Sequence, residues 1–182
     1  MLKTLLKTVL AVAVILVLAV GGVLAYAATQ PDDFRIARST TIQAPPEKIY
    51  PLMSDFRRGM EWSPYEKKDP DMKRRFSGAQ SGKGAIYDFE GNGDVGAGRL
   101  EITEASPPSK VVLRLDMIKP FQGSNIIEYS ILPKGNASEV TWAMHGQQPL
   151  LAKAICLFFN MDKMVGADFE QGLASLKAIA EK

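Results

Sequence analysis

The chain has 182 residues, 46% hydrophobic and 23% charged, with 15 Gly, 11 Pro and a formal net charge of +2. That composition excludes collagenous, low-complexity and disordered chains, and so small a charge excludes a nucleic-acid partner, whose phosphates call for a concentrated field of Lys and Arg. Cys156 and His145 are the only residues of their types, so an internal disulfide and a Cys/His zinc site are excluded, and neither a metal nor a cofactor is expected.

At the amino terminus, no charge falls between Lys7 and Asp32, and Val9 to Ala28 is an unbroken apolar run. As a helix rising ~1.5 Å per residue, that run spans about the ~30 Å hydrocarbon core of a bilayer. It has no polar face, which argues against a buried core helix. Residues 1–29 are read as a transmembrane anchor, 30–33 as a linker and 34–182 as one folded domain. The competing reading is a cleaved signal peptide, with Lys3 and Lys7 as its positive region and Ala25-Tyr26-Ala27 as the small-residue cleavage pattern. The apolar run exceeds the usual ~7 to 15 residues of such a peptide, which favours the anchor. Arg35, Arg38 and Lys48 after the run nearly balance Lys3 and Lys7 before it. A short basic tail stays in the cytoplasm most simply, so the expectation is a single-pass inner-membrane protein with a periplasmic domain, or a secreted one if cleaved.

Without its first thirty residues the chain keeps roughly 150, enough to bury about two-thirds of the surface exposed when unfolded. Phe34 to Gln43 alternates as a strand until Ala44-Pro45-Pro46-Glu47 stops it. Pro46 to Phe56 places Ile49, Leu52, Met53 and Phe56 on one helical face, and Arg57 to Asp71 reads as irregular. The period then changes to two. Met72–Phe76, Ala85–Glu90, Arg99–Ala105, Lys110–Lys119, Ser124–Leu132 and Ser138–His145 read as strands between Gly, Pro and Asn turns. Such close spacing implies an antiparallel meander. From Leu150 the pattern lengthens, with Met161, Val165, Phe169, Leu173, Leu176 and Ala180 forming one stripe of a long helix. Gly166 and Gly172 interrupt it at ~1 kcal/mol each, which points to close approach of something bulky, with tolerance at an exposed position as the plain alternative.

This order, with the motifs Glu61-Trp62-Ser63-Pro64-Tyr65, Asp69-Pro70, Glu90-Gly91-Asn92, Gly96-Ala97-Gly98-Arg99, Lys119-Pro120-Phe121, Val140-Thr141-Trp142 and Met161-Asp162-Lys163-Met164-Val165-Gly166, resembles the helix-grip domains of the START-like or SRPBCC superfamily. The nearest likeness is to membrane-anchored bacterial members of its polyketide cyclase/dehydrase and lipid-transport group. The resemblance covers Phe34 to Lys182. It implies an α+β helix-grip fold, a curved antiparallel sheet wrapped around a long C-terminal helix. Between them it implies a hydrophobic cavity for a lipid, sterol-like or polyketide-like molecule. It implies no reaction, because members include cyclases, hydrolases, carriers and chaperone regulators without a shared catalytic constellation.

Trp62, Tyr65, Tyr87, Phe89, Leu113, Leu115, Met117, Trp142, Met144, Met161, Val165 and Phe169 are the expected lining, with solid core as the plain alternative. Trp62 and Tyr65, in a loop, have the size and amphipathic character of a lid. His145, Glu61 and Tyr87 are weak candidates for acid–base work, and two of Glu61, Glu66 and Asp69 could share acid and base roles if buried together, with solvated loop charge paired to Lys67, Lys68 or Arg57 as the plainer reading. His145 lies in phase with Thr141 and Ala143, opposite to Val140, Trp142 and Met144, which assigns it to the rim. Gly91, Gly93 and Gly96 spell G-x-G-x-x-G, but a strand follows where a dinucleotide site needs a helix, so Asn92-Gly93 is a hairpin turn. Lys67, Lys68, Lys73, Arg74 and Arg75 are either a headgroup-attracting cluster or, more simply, a solvated face. Three function classes follow: a membrane-tethered binder of a hydrophobic molecule or lipid, a cyclase/dehydrase-like enzyme in the same cavity, and an interaction module with a filled core.

Overall fold

The computed structural model describes residues 2–182; Met1, the first residue of the expected anchor, lies outside the described residues. The chain divides into two compact units, one formed by the chain up to Phe34 with Gln147–Met161, the other by Arg35–Gly146 with Asp162–Lys182.

In the first unit, α1 (Leu2–Ala28) contains one stretch, Leu6–Ala28, that is long and apolar enough to cross a membrane, as an anchor or a signal sequence would be. Its side chains from Val9 to Val20 are exposed, and only near its end do Val23, Leu24 and Ala27 become half-buried or buried. There the short helix α5 (Leu150–Cys156) packs on it. Lys153 of α5 is 5% exposed and donates to Asp32 Oδ1 at 2.5 Å and to the Gln30 carbonyl at 2.8 Å.

The second unit is built on seven antiparallel strands: β1 (Asp33–Ile42), β2 (Lys73–Gly78), β3 (Ala85–Glu90), β4 (Ala97–Ser106), β5 (Lys110–Lys119), β6 (Gly123–Lys134) and β7 (Ala137–Gln147). Their order is β1-β7-β6-β5-β4-β3-β2, a meander that β1 extends beside β7. Register sets Val111, Tyr129 and Trp142 in one row across three strands and Leu113, Ile127 and Met144 in the next, so the period-two apolar positions share one face. Two shifts of register between β4 and β5, at Ala97/Gly98 and Ile102/Glu104, bend a sheet that must curve around a helix. That helix is α6 (Met161–Ala180), which buries Phe169, Leu173, Leu176 and Ala180. The architecture is the expected helix-grip α+β fold, with an apolar helix at the amino terminus.

Three local expectations change. The first helix, α2 (Pro46–Ser54), ends two residues early, because Asp55 leaves the helix and accepts the Arg57 N–H at 2.8 Å to cap α3 (Phe56–Gly59). Part of the segment expected to be irregular is therefore helical: α3, and α4 (Pro64–Lys68), begun by Pro64. Neither is long enough to display a 3.6-residue period. Finally, the helical stretch expected from Leu150 breaks after Cys156, where the Leu157, Phe158 and Phe159 N–H groups turn back onto Lys153 and Ile155 carbonyls, and α6 starts afresh at Met161.

Candidate functional site

Four aromatic side chains meet between the sheet and α6. Trp62, between α3 and α4, is fixed by its indole N–H donating to the Leu52 carbonyl at 2.8 Å. Its ring stands edge-on to Tyr129 of β6 and Trp142 of β7, with centroids 5.8 and 5.5 Å away. Trp142 in turn stacks on Phe169 of α6 at 4.2 Å. Gly172, one turn along α6, makes this possible, since a Cβ there would lie 2.6 Å from Trp142 Cζ3.

This interior is apolar with a few polar atoms aimed into it. Trp142 is 3% exposed, yet its indole Nε1 has no hydrogen-bond partner among the described residues. Buried polar atoms are normally satisfied, and an orphan donor marks a place where something else is bound or where stability is given up. Burial holds the Tyr65 hydroxyl well above its ordinary pKa, with Asp168 adding to the effect. Burial does the same to Tyr129, with Tyr65 adding. Both phenols stay protonated at physiological pH, as neutral donors and acceptors, and that of Tyr129 belongs to the aromatic box. A carbonyl or hydroxyl on an otherwise apolar molecule suits such a set.

A second cluster surrounds Tyr87 of β3, whose ring stacks on Phe76 at 5.0 Å and lies 5.7 and 6.0 Å from Phe56 and Phe89. Its hydroxyl donates to Glu66 Oε1 at 2.8 Å, and Arg74 Nε donates to Glu66 Oε2 at 2.7 Å. Burial first, and then the Glu66 carboxylate, raise the Tyr87 pKa. Arg74 also donates to the Met72, Asp69 and Pro70 carbonyls, so it closes the loop before β2 as well as pairing Glu66. With both its oxygens engaged, Glu66 is placed to hold Tyr87 as a donor, not to abstract a proton.

The structure thus brings Trp62, Trp142 and Phe169 together, and gathers Tyr87 with Phe89 elsewhere on the sheet. Leu113 is buried; Tyr65, Leu115, Met117, Met144 and Val165 are half-buried; Met161, at the start of α6, is exposed. His145 and Glu61 are exposed, so of the three acid–base candidates only Tyr87 is buried. Tyr129 was missed, while Glu66 and Arg74 were named but read as solvated charge. Tyr129 shares the phase of Ile127 and Ile131, a signal that was legible; Glu66 and Arg74 sat inside a charged stretch that reads as solvent-facing. In that stretch Lys68 pairs with Asp168, Lys73 with Glu90, Arg74 with Glu66 and Arg75 with Asp88, leaving little free positive charge. The glycine motif forms the β3–β4 hairpin turn, with Gly96 at φ +76° donating to the Asn92 carbonyl. No group of three or more His, Cys, Asp or Glu is arranged to hold a metal ion among the described residues. A cleft of about 400 Å³ lies in the first unit, bordered by Ala28, Asp32, Gln148, Leu150 and Lys153.

Residues 33–181 match the family model described as polyketide cyclase/dehydrase and lipid transport. Among solved structures, protein CV1439 from Chromobacterium violaceum is similar with a TM-score of 0.58 at 16% identity, covering 84% of this chain and 99% of its own. The Aha1 dimer from Colwellia psychrerythraea gives 0.54 at 20% identity, over 81% and 96%. The di-domain ARO/CYC StfQ from the steffimycin biosynthetic pathway gives 0.58 at 12%, over 82% of this chain and 51% of that one. At such identities the likeness is one of fold. No curated protein matches the chain significantly.

Proposed function

The chain belongs to the polyketide cyclase/dehydrase and lipid transport family, and from that premise we infer that it is a membrane-tethered domain that holds one hydrophobic molecule or lipid between its sheet and α6. The supporting observation is the orphan indole N–H of Trp142, buried in an aromatic box that includes the neutral phenol of Tyr129. An apolar ligand with one oxygen fills the box and accepts that hydrogen bond. The four rings lie in mutual contact, so entry requires the Trp62–Lys68 segment to lift and the Trp62 ring to leave its place and its bond to the Leu52 carbonyl. Its ties to α6, Lys67 to Ser175 at 3.1 Å and Lys68 to Asp168 at 2.7 Å, are polar and near the surface, where such contacts are worth little. Anchoring by α1 keeps the domain tethered to the membrane, on the periplasmic side.

Native mass spectrometry of the full-length chain, delipidated in detergent and then exposed to membrane extract, tests the reading. One adduct of lipid-sized mass is expected. Trp142→Phe keeps the aromatic surface and removes the donor, and should weaken the adduct roughly fivefold, the worth of one hydrogen bond near 1 kcal/mol. Repeated recovery of bare protein would favour the interaction-module reading instead. A cyclase/dehydrase-like activity is the second reading, favoured by buried Tyr87 and its Glu66–Arg74 pair; it requires a supplied polyketide-like molecule to be recovered as a cyclised isomer of equal mass with a changed chromatographic retention, or lighter by one water after dehydration.

A further inference from the structure

Five large apolar side chains in the first unit stand in the exposed class: Leu150 is 45% exposed, Leu151 64%, Leu157 36%, Phe158 72% and Phe159 61%. They fall within ten consecutive residues, on α5 and the turn after it. A soluble surface seldom carries so much contiguous apolar area without a use for it. The placement of these residues narrows the use. α5 packs on α1, and among the described side chains of α1 burial appears only near its carboxyl end, at Val23, Leu24 and Ala27. That end is also where the apolar stretch Leu6–Ala28 gives way to Thr29, Gln30 and Asp32.

The attachment is specific. Lys153, between Leu151 and the exposed turn, is turned inward and clamped to Asp32 Oδ1 and the Gln30 carbonyl, while the Gln148 N–H donates to the Asp32 carbonyl at 2.7 Å. Three bonds therefore join the start of α5 to the chain just after α1. With its lysine used internally, the segment offers solvent an apolar surface at the level where α1 leaves the hydrocarbon.

From this juxtaposition we propose that Leu150–Phe159 is a second membrane contact, lying in the headgroup and upper acyl region of the bilayer that α1 spans. Amphipathic elements insert apolar side chains to that depth, and aromatic rings favour it. The inference rests on the tethered reading of α1. Its consequence is that the unit carrying the span is held at two points, which limits its rotation about the α1 axis.

The test uses the full-length chain reconstituted into phosphatidylethanolamine/phosphatidylglycerol vesicles whose acyl chains carry bromine either near the carbonyl end or near the bilayer centre. Bromine quenches tryptophan emission at close range. The native Trp62 and Trp142 are buried in the protein and provide an unquenched background. Phe159→Trp and Leu16→Trp are compared with the parent. The emission added by Phe159→Trp should be lost mainly to the shallow bromines, and that added by Leu16→Trp mainly to the central ones. An unquenched Phe159→Trp overturns the second contact, whatever Leu16→Trp does. An unquenched Leu16→Trp overturns the spanning role of α1, whatever Phe159→Trp does. Both substitutions place an apolar ring at an exposed apolar position, so neither disturbs packing.

Discussion

A methyl group at Gly172 would sit 2.6 Å from Trp142 Cζ3 and 3.1 Å from Pro64 Cδ. The Trp142 ring has little room to retreat, because Phe169 stacks on it at 4.2 Å and Trp62 and Tyr129 stand edge-on to it at 5.5 and 5.4 Å. Replacing a helical glycine by alanine gains ~1 kcal/mol of propensity, whereas overpacking a filled core costs ~1 to 3 kcal/mol. The clash wins, so Gly172→Ala should lower stability by a net of about 1 kcal/mol. Gly166 is the contrast: a methyl there meets the Arg38 guanidinium, the mobile end of a side chain paired with Asp162 and Glu170, which are 62% and 65% exposed. Those pairs are worth little, and Gly166→Ala should change stability by less than about 1 kcal/mol in either direction. Urea unfolding in mild detergent, followed by tryptophan emission, checks both; equal midpoints for the two variants would contradict the packing. The spacing of helix formers marked both glycines as points of close approach. Only the folded chain distinguished a fixed ring from a flexible guanidinium.

Three strands are joined at Asp88, which register sets opposite Arg99 of β4 and Arg75 of β2. Its carboxylate accepts from Arg99 Nε at 2.7 Å and from Arg75 Nη2 at 3.0 Å. The Arg99 hydrogen bond lowers the Asp88 pKa against the opposing effect of burial, and Arg75 lowers it further. A carboxyl depressed in the folded state contributes its full stability above its unfolded pKa near ~3.9 and loses it as pH falls through the folded value. With Arg75 73% and Arg99 43% exposed, solvent screening keeps the contribution to about 1 kcal/mol or less. Asp88→Asn should therefore be less stable than the parent at neutral pH by up to that amount, with the gap closing by about pH 2. Unfolding midpoints at the two pH values measure it; a gap of constant size would exclude the pairing. All six strands of the meander were visible as alternating segments, because one buried face imposes a period of two. The one-turn helices α3 and α4 were not, since caps and a proline define them, not a repeat.

For the whole molecule, the fate of the amino-terminal helix separates an anchored protein from a secreted one. A run of apolar residues longer than a signal peptide's hydrophobic region should escape cleavage, so the intact mass of protein extracted from membranes should be that of the full chain, 19.9 kDa. A mass lacking residues 1–27 would make the protein a secreted one. The sequence alone determined the apolar helix, the meander and the final striped helix, because hydrophobic periodicity is a local property that survives without knowing what each face will meet. Tertiary structure decided which apolar residues meet. It gathered Trp62, Tyr129, Trp142 and Phe169 from four separate elements, turned Glu66 and Arg74 from a charged stretch into the partners of Tyr87, and left Phe158 and Phe159 uncovered. Such outcomes depend on register and on the close approach of α6 to the sheet, which no single segment encodes.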